Sequence, residues 1–166
     1  MGLLDFVKSA GERVFGKSDE TKKKEAAMEA AARKQAEEVR RLKMARQLEE
    51  HVKAMGLEVE DANFSYLGGT VTARGKVDTQ ETAEKVILTV GNVADVEKVD
   101  NQLEVTNPEP EAVFHTVVSG DYLSKIAKKH YGDASKYHAI FEANKPMLSD
   151  PDKIYPGQVL RIPALD

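Results

Sequence analysis

A chain of 166 residues is long enough for one domain or two small ones, and 31% charged with 6% aromatic residues favours two small cores over one large one. The net charge of -4, with acids and bases interleaved, gives no basic surface for nucleic acid. The lack of cysteine excludes disulfides, thiolate metal sites and thiol nucleophiles, and fits a reducing compartment.

The opening stretch MGLLDFVKSAGERVFGKSDE has no basic leader and no sustained apolar run, and it carries Asp5 where an export signal would be apolar. A cytoplasmic location is therefore expected. No later segment has the apolar length of a membrane span, so no stable membrane insertion is expected either. Leu3, Val7, Ala10 and Val14 recur at helical spacing with Leu4 and Phe6 beside them. This is the stripe of a short amphipathic helix, interrupted by Gly11, that docks on a neighbouring core. It lacks the cationic face of a membrane-surface anchor.

From Ser18 to Gly56 the composition shifts to Ala, Glu, Lys and Arg, strong helix formers, with Ser18 or Asp19 to cap the start and Gly56 to end it. One long helix or two abutting ones are expected. Ala45, Leu48, Val52 and Met55 give the last turns a core-facing stripe. Met28, Ala32, Gln35, Val39 and Leu42 keep a heptad-like rhythm, but Ala and Gln make a weak seam, which favours a solvated arm on a monomer over a coiled-coil dimer.

Phe64 and Tyr66 alternate with polar residues, Gly68 and Gly69 turn the chain, and Val71 and Ala73 alternate back, which reads as a hairpin. Asp78 is the expected cap of the next helix, with Glu81 in a box-like position and Ala83, Val86, Ile87 and Val90 on its buried face. Gly91 stands where a left-handed C-terminal residue belongs. A strand follows, with Val99, Leu103 and Val105 on one side. The segment TNPEPE, with its paired prolines, is a linker. Beyond it a strand over Val113 to Val118 leads to a helix bearing Leu123, Ile126 and Ala127. Gly132 ends that helix, Asp133 caps a second with Tyr137, Ile140 and Phe141, and VLRIP closes with a strand.

The motifs VVSGDYLSKIAKKHYGD, IFEANK and IYPGQVLRIP resemble a LysM module, and Gly75 with VGNVADVEKVDNQLEV resembles a BON domain. In this order, behind MGLLDFVKSAG, they are similar to the small bacterial cytoplasmic potassium-binding protein family, Kbp. The fold class so implied is α+β: a small BON-type α/β sandwich and a LysM β-α-α-β domain, preceded by an N-terminal helix and a charged helical segment. The expected division is 1–44 for the helical segments, 45–106 for BON, 107–112 for the linker and 113–166 for LysM.

The residues offer little to an enzyme. His51, His115, His130 and His138 are scattered, without the spacing of a zinc helix or a nearby serine elbow, and SDPDK lacks the spacing and glycine of a calcium loop. LysM modules bind N-acetylglucosamine polymers through loops that here correspond to Ser119, Gly120, Asp121 and Tyr122, and to Asn144, Lys145, Pro146 and Met147. Tyr122 replaces the usual Thr. A peptidoglycan-binding, envelope-associated protein is therefore the alternative function, competing with a LysM that packs against its BON neighbour.

The last carbonyls of a helix have no intrahelical partner and carry partial negative charge. Potassium is a large ion whose hydration can be replaced by neutral carbonyls, whereas magnesium keeps its waters and calcium prefers carboxylates. FVKSAGE and VGNVADV are candidate carbonyl clusters of this kind. The resemblance implies potassium, with rubidium or caesium as substitutes, held by main-chain oxygens of Val7, Ala10 and Glu12 and of Gly91, Val93 and Val96. It also implies a cytoplasmic ion sensor or buffer, tied to osmotic stress, that becomes compact on binding.

Overall fold

The structure, a computed structural model, describes residues 19–165. The chain divides into two units, Met1–Arg40 and Arg41–Asp166. In the first, every described residue is helical and exposed, with side chains paired along the helix as in Arg33 to Glu29 at 2.6 Å. These residues open helix α1, Asp19–Ala54, a single continuous helix.

In the second unit, Leu48 and Val52 of α1 are buried, with Met44 packed beside them, so the expected stripe is the one that meets the core. The helix ends as Gly56 predicts. Gly56 adopts φ 70, its N–H reaches the Lys53 carbonyl at 2.9 Å, and the Leu57 N–H reaches that of Val52 at 3.3 Å. That paired closure satisfies two terminal carbonyls.

The hairpin follows as strands β1, Glu60–Leu67, and β2, Thr70–Thr79, with Leu67 opposite Thr70 across Gly68 and Gly69. Both glycines have positive φ, as a two-residue hairpin turn of this hand requires. Helix α2, Gln80–Gly91, then crosses over to β3, Lys98–Asn107, which lies parallel to β2. The sheet order β1-β2-β3 puts β2 at the centre. Its alternate residues Val71, Ala73 and Val77 are buried, and with Phe64, Tyr66, Leu48, Val52, Val86 and Val90 they fill the sheet-facing core.

Two expected caps are corrected. Thr79, not Asp78, caps α2: its hydroxyl accepts from the Thr82 N–H at 3.1 Å, while Asp78 is still in the strand and ties to Asn107 at 2.7 Å. Gly91 is the last helical residue rather than a left-handed cap, and Asn92 at φ -86 ends the helix. Gly91 instead serves close packing, since a Cβ there would sit 3.2 Å from a methyl of Val99.

Strands β4, Val113–Thr116, and β5, Val159–Ile162, form an antiparallel pair. Between them come α3, Leu123–Tyr131, a 3-10 turn at Ala134–Lys136 and α4, Tyr137–Ala143. Strand β4 stops short of the expected Val118, because Val117 pairs with Gln158 and Gly157 outside the ladder while Val118 enters the following turn. Gly132 at φ 75 ends α3, and the Asp133 carboxylate accepts from the Ser135 N–H at 2.9 Å. Val117, Leu123, Ile126, Ile140, Leu148 and Leu160 build this second core.

The two cores meet along α2. Glu84 is only 4% exposed, although it sits on a helix whose other face is apolar. Its carboxylate accepts from Arg161 Nε at 2.6 Å, from the Ala112 N–H at 2.9 Å and from Gln80 at 3.2 Å. Helix α2 is thus buried on both sides, by the sheet and by β5.

Candidate functional site

Of the expected potassium ligands, Val7, Ala10 and Glu12 lie outside the described residues. Gly91 is the last residue of α2, Val93 and Val96 fall in the turn between α2 and β3, and all three are half-buried. The Val93 N–H bonds to the Val90 carbonyl at 3.4 Å, and the Val93 carbonyl accepts the Val96 N–H at 3.1 Å. A carbonyl oxygen has two lone pairs, so that bond leaves Val93 capacity to spare. Among the described residues, no hydrogen bond uses the carbonyl of Gly91 or Val96.

Six hydrogen bonds fix this turn. The Asn92 N–H reaches back to Leu88 at 3.0 Å. The buried Tyr66 hydroxyl donates to the Asp95 carbonyl at 3.0 Å, holding a residue that has φ 70. The N–H groups of Glu97 and Lys98 both donate to the Gly69 carbonyl, at 2.7 and 3.2 Å. Finally, the Asn92 side chain bonds to both backbone groups of Val159: Nδ2 donates to the carbonyl at 3.1 Å, and Oδ1 accepts the N–H at 2.9 Å. A groove of about 680 Å³ opens beside the turn, between Met44, Leu48 and His51 of α1 and Val93 to Asp95.

Tyr66, Asn92 and Glu84 were not singled out for these roles by sequence reasoning. Glu84 carried a signal, a lone acid among Ala83, Val86 and Leu88 on a short helix, and Asn92 a fainter one as a polar residue directly after a helix-ending glycine. Tyr66 was legible only as a core strand residue.

The histidines also need correction, because the fold brings two of the scattered four together. His115 is buried; its Nε2 donates to Asp121 Oδ2 at 2.9 Å, and its Nδ1 lies 3.2 Å from His130 Nε2. With the Nε2 proton on the Asp121 side, Nδ1 accepts from His130, and each polar atom along the chain of bonds is satisfied. Asp121 also accepts the Val118 N–H at 3.1 Å and lies 3.4 Å from Lys125 Nζ. The hydrogen bond from His115, then that from Val118, hold its carboxyl down to about 2. Burial, with help from His115 and Lys129, lowers His130 below its ordinary value.

Of the loop residues aligned with glycan contacts, Asp121 and Asn144 are committed inward. Asn144 is 1% exposed and bonds to Ile140 at 2.7 Å and to both backbone groups of Arg161 at 2.8 Å. Tyr122 is exposed. Among the described residues there is no cluster of three or more His, Asp or Glu able to hold a metal, and no helix long and apolar enough to cross a membrane.

Comparison with known proteins places these observations. The BON domain family matches residues 42–107 and the LysM domain family residues 115–163, so the class is a BON module followed by a LysM module. The chain is 40% identical to "Potassium binding protein Kbp" of Escherichia coli O6:H1 over 171 aligned positions, covering 98% of this chain and 99% of that one. It belongs to the Kbp family. An uncharacterised protein of Deinococcus radiodurans is 36% identical across 58% of the chain and 42% of its own length. An esterase of Mycobacterium tuberculosis is 47% identical, but over only 32% of the chain and 11% of the esterase.

Proposed function

We propose that this chain binds potassium reversibly through main-chain carbonyls, those of Gly91, Val93 and Val96 together with Val7, Ala10 and Glu12. The observation that carries the reading is the end-to-end identity of 40% with a relative whose name states potassium binding. The turn after α2 supports it chemically: the helix end concentrates partial negative charge, and the carbonyls of Gly91 and Val96 accept no bond among the described residues. No side-chain carboxylate is required, which suits a large monovalent ion over calcium or magnesium.

In this reading the protein is a cytoplasmic, monomeric sensor or buffer. Potassium favours a compact state, and its loss loosens that state. Thermal unfolding in potassium, rubidium, sodium and lithium chlorides at equal ionic strength tests the site. A ligand that binds the folded state raises the midpoint as its concentration passes its dissociation constant. Potassium and rubidium are expected to raise it where sodium and lithium do not; equal shifts for all four salts would reject the reading.

The LysM match and the exposed Tyr122 favour a second reading, contact with N-acetylglucosamine polymers at that loop. Retention on purified sacculi that is lost in Tyr122→Ala would support it, and flow-through of the unaltered protein would exclude it.

A further inference from the structure

Among the described residues strand β5 has one strand neighbour, and its other edge is covered by two asparagine side chains. The register pairs His115 with Leu160 and Val113 with Ile162. In an antiparallel pair alternate residues turn their N–H and C=O away from the partner strand. On β5 these are Val159 and Arg161. Asn144, from the same domain, receives both backbone groups of Arg161, and Asn92, from the BON domain, receives both of Val159. An amide side chain supplies the donor and acceptor that a strand edge demands, so Asn92 acts as a single-residue strand extension.

Asn92 also lies between Gly91 and Val93, two of the residues whose carbonyls are proposed to hold the ion. Helix α2 is tied to the LysM domain at two points. At Glu84 the tie is a buried ion pair in a closely bonded site. At Asn92, about 12 Å of helix rise further on, the tie runs beside a cavity of about 350 Å³ lined by Leu88, Gly91, Val99, Phe114 and Val159. The Asn92 tie thus borders a cavity, whereas the Glu84 tie is closely bonded.

We propose that Asn92 is a positioning residue that couples the carbonyl turn at residues 91–96 to β5. Seating of β5 on Asn92 sets the direction of the flanking carbonyls, and an ion held by those carbonyls tightens the grip on Val159. The coupling is reciprocal by linkage, so each event strengthens the other. The inference rests on the proposed potassium site and goes beyond it by naming the residue through which the LysM domain acts on that site.

Amide exchange and chemical shifts of the full chain, titrated with potassium chloride against sodium chloride, provide the test. In the unaltered protein, potassium is expected to move the amides of residues 91–96 and to slow exchange of the Val159 N–H with the same midpoint. In Asn92→Ala the potassium midpoint is expected to rise about 5- to 30-fold, the span of one to two lost hydrogen bonds, and the potassium-specific gain in thermal midpoint should shrink. Val159→Pro, which removes the bonded N–H from the other side at the start of a strand, should act alike, and the double variant should be no weaker than either alone. A merely structural Asn92 would lower thermal stability equally with and without potassium. If the amides of residues 91–96 ignore potassium in the unaltered protein, the proposed site itself fails. If they respond while Val159 exchange does not, or while Asn92→Ala keeps the unaltered midpoint, the coupling is overturned and the site stands. Should both variants fail to fold, the Val159 exchange measurement decides the matter alone.

Discussion

Gly75 and Gly56 show how two glycines with positive φ differ in consequence. Gly75 has φ 139, and a Cβ there would lie 2.6 Å from a methyl of Val59 and 2.7 Å from the Glu60 carbonyl, beside the bulge in β1. Gly56 has φ 70 with open space around it. Gly56→Ala therefore carries backbone strain alone, about 1 kcal/mol, whereas Gly75→Ala adds a backbone clash and should cost about 3 kcal/mol or more. Urea unfolding of the two variants measures the difference, and equal losses would show that the bulge yields. The bonded set Asp121, His115 and His130 gives a pH dependence. Because His130 is lowered, its contribution is complete above its unfolded value of 6.5 and is lost as pH falls through that value and on through the lower folded one. Asp121 is lowered to about 2, so its contribution is held above the carboxylate range and lost only as pH falls from about 4 toward 2. Thermal midpoints should thus decline as pH falls from neutrality through 6.5, and His130→Gln should flatten that slope while leaving the acid limb set by Asp121.

At the scale of elements, α2 sits between two partners, and its composition records both. Val86 and Val90 face the sheet, while Glu84 faces Arg161 and the linker at Ala112. Removing one member of a buried ion pair strands the other charge, so Arg161→Met should destabilise by about 3–5 kcal/mol. Adding Glu84→Leu should recover part of that loss, since no bare charge remains; the Ala112 N–H, left without its acceptor, keeps the recovery incomplete. Denaturant midpoints of the single and double variants separate these effects. Loss of similar size in all of them would mean that packing, not charge, holds this contact.

Over the whole second unit, the two modules share a buried ion pair, a backbone bond from the linker to Glu84 and the Asn92 clamp. Modules joined by such contacts should unfold as one. Calorimetry of the unaltered chain is expected to give a single transition for the BON and LysM cores, and Arg161→Met should split it into two. Two transitions in the unaltered protein would show the modules to be thermodynamically independent. The BON match at 42–107 and the LysM match at 115–163 give the order of the modules, and the α2 contacts join them.

Sequence alone determined the elements, because hydrophobic period and turn chemistry are local. The stripe of Leu48 and Val52, the turn at Gly68 and Gly69, and the closures at Gly56 and Gly132 all follow from neighbours along the chain. Through a resemblance, it also pointed to Gly91, Val93 and Val96, whose main-chain oxygens are proposed here as ion ligands. Only the tertiary structure decided which polar groups meet across the chain: Tyr66 with Asp95, Glu84 with Arg161, His115 with His130, Asn92 with Val159. Such pairs leave no period to read, since a hydrogen bond depends on two groups arriving at the same place, and their separation in sequence is set by the fold.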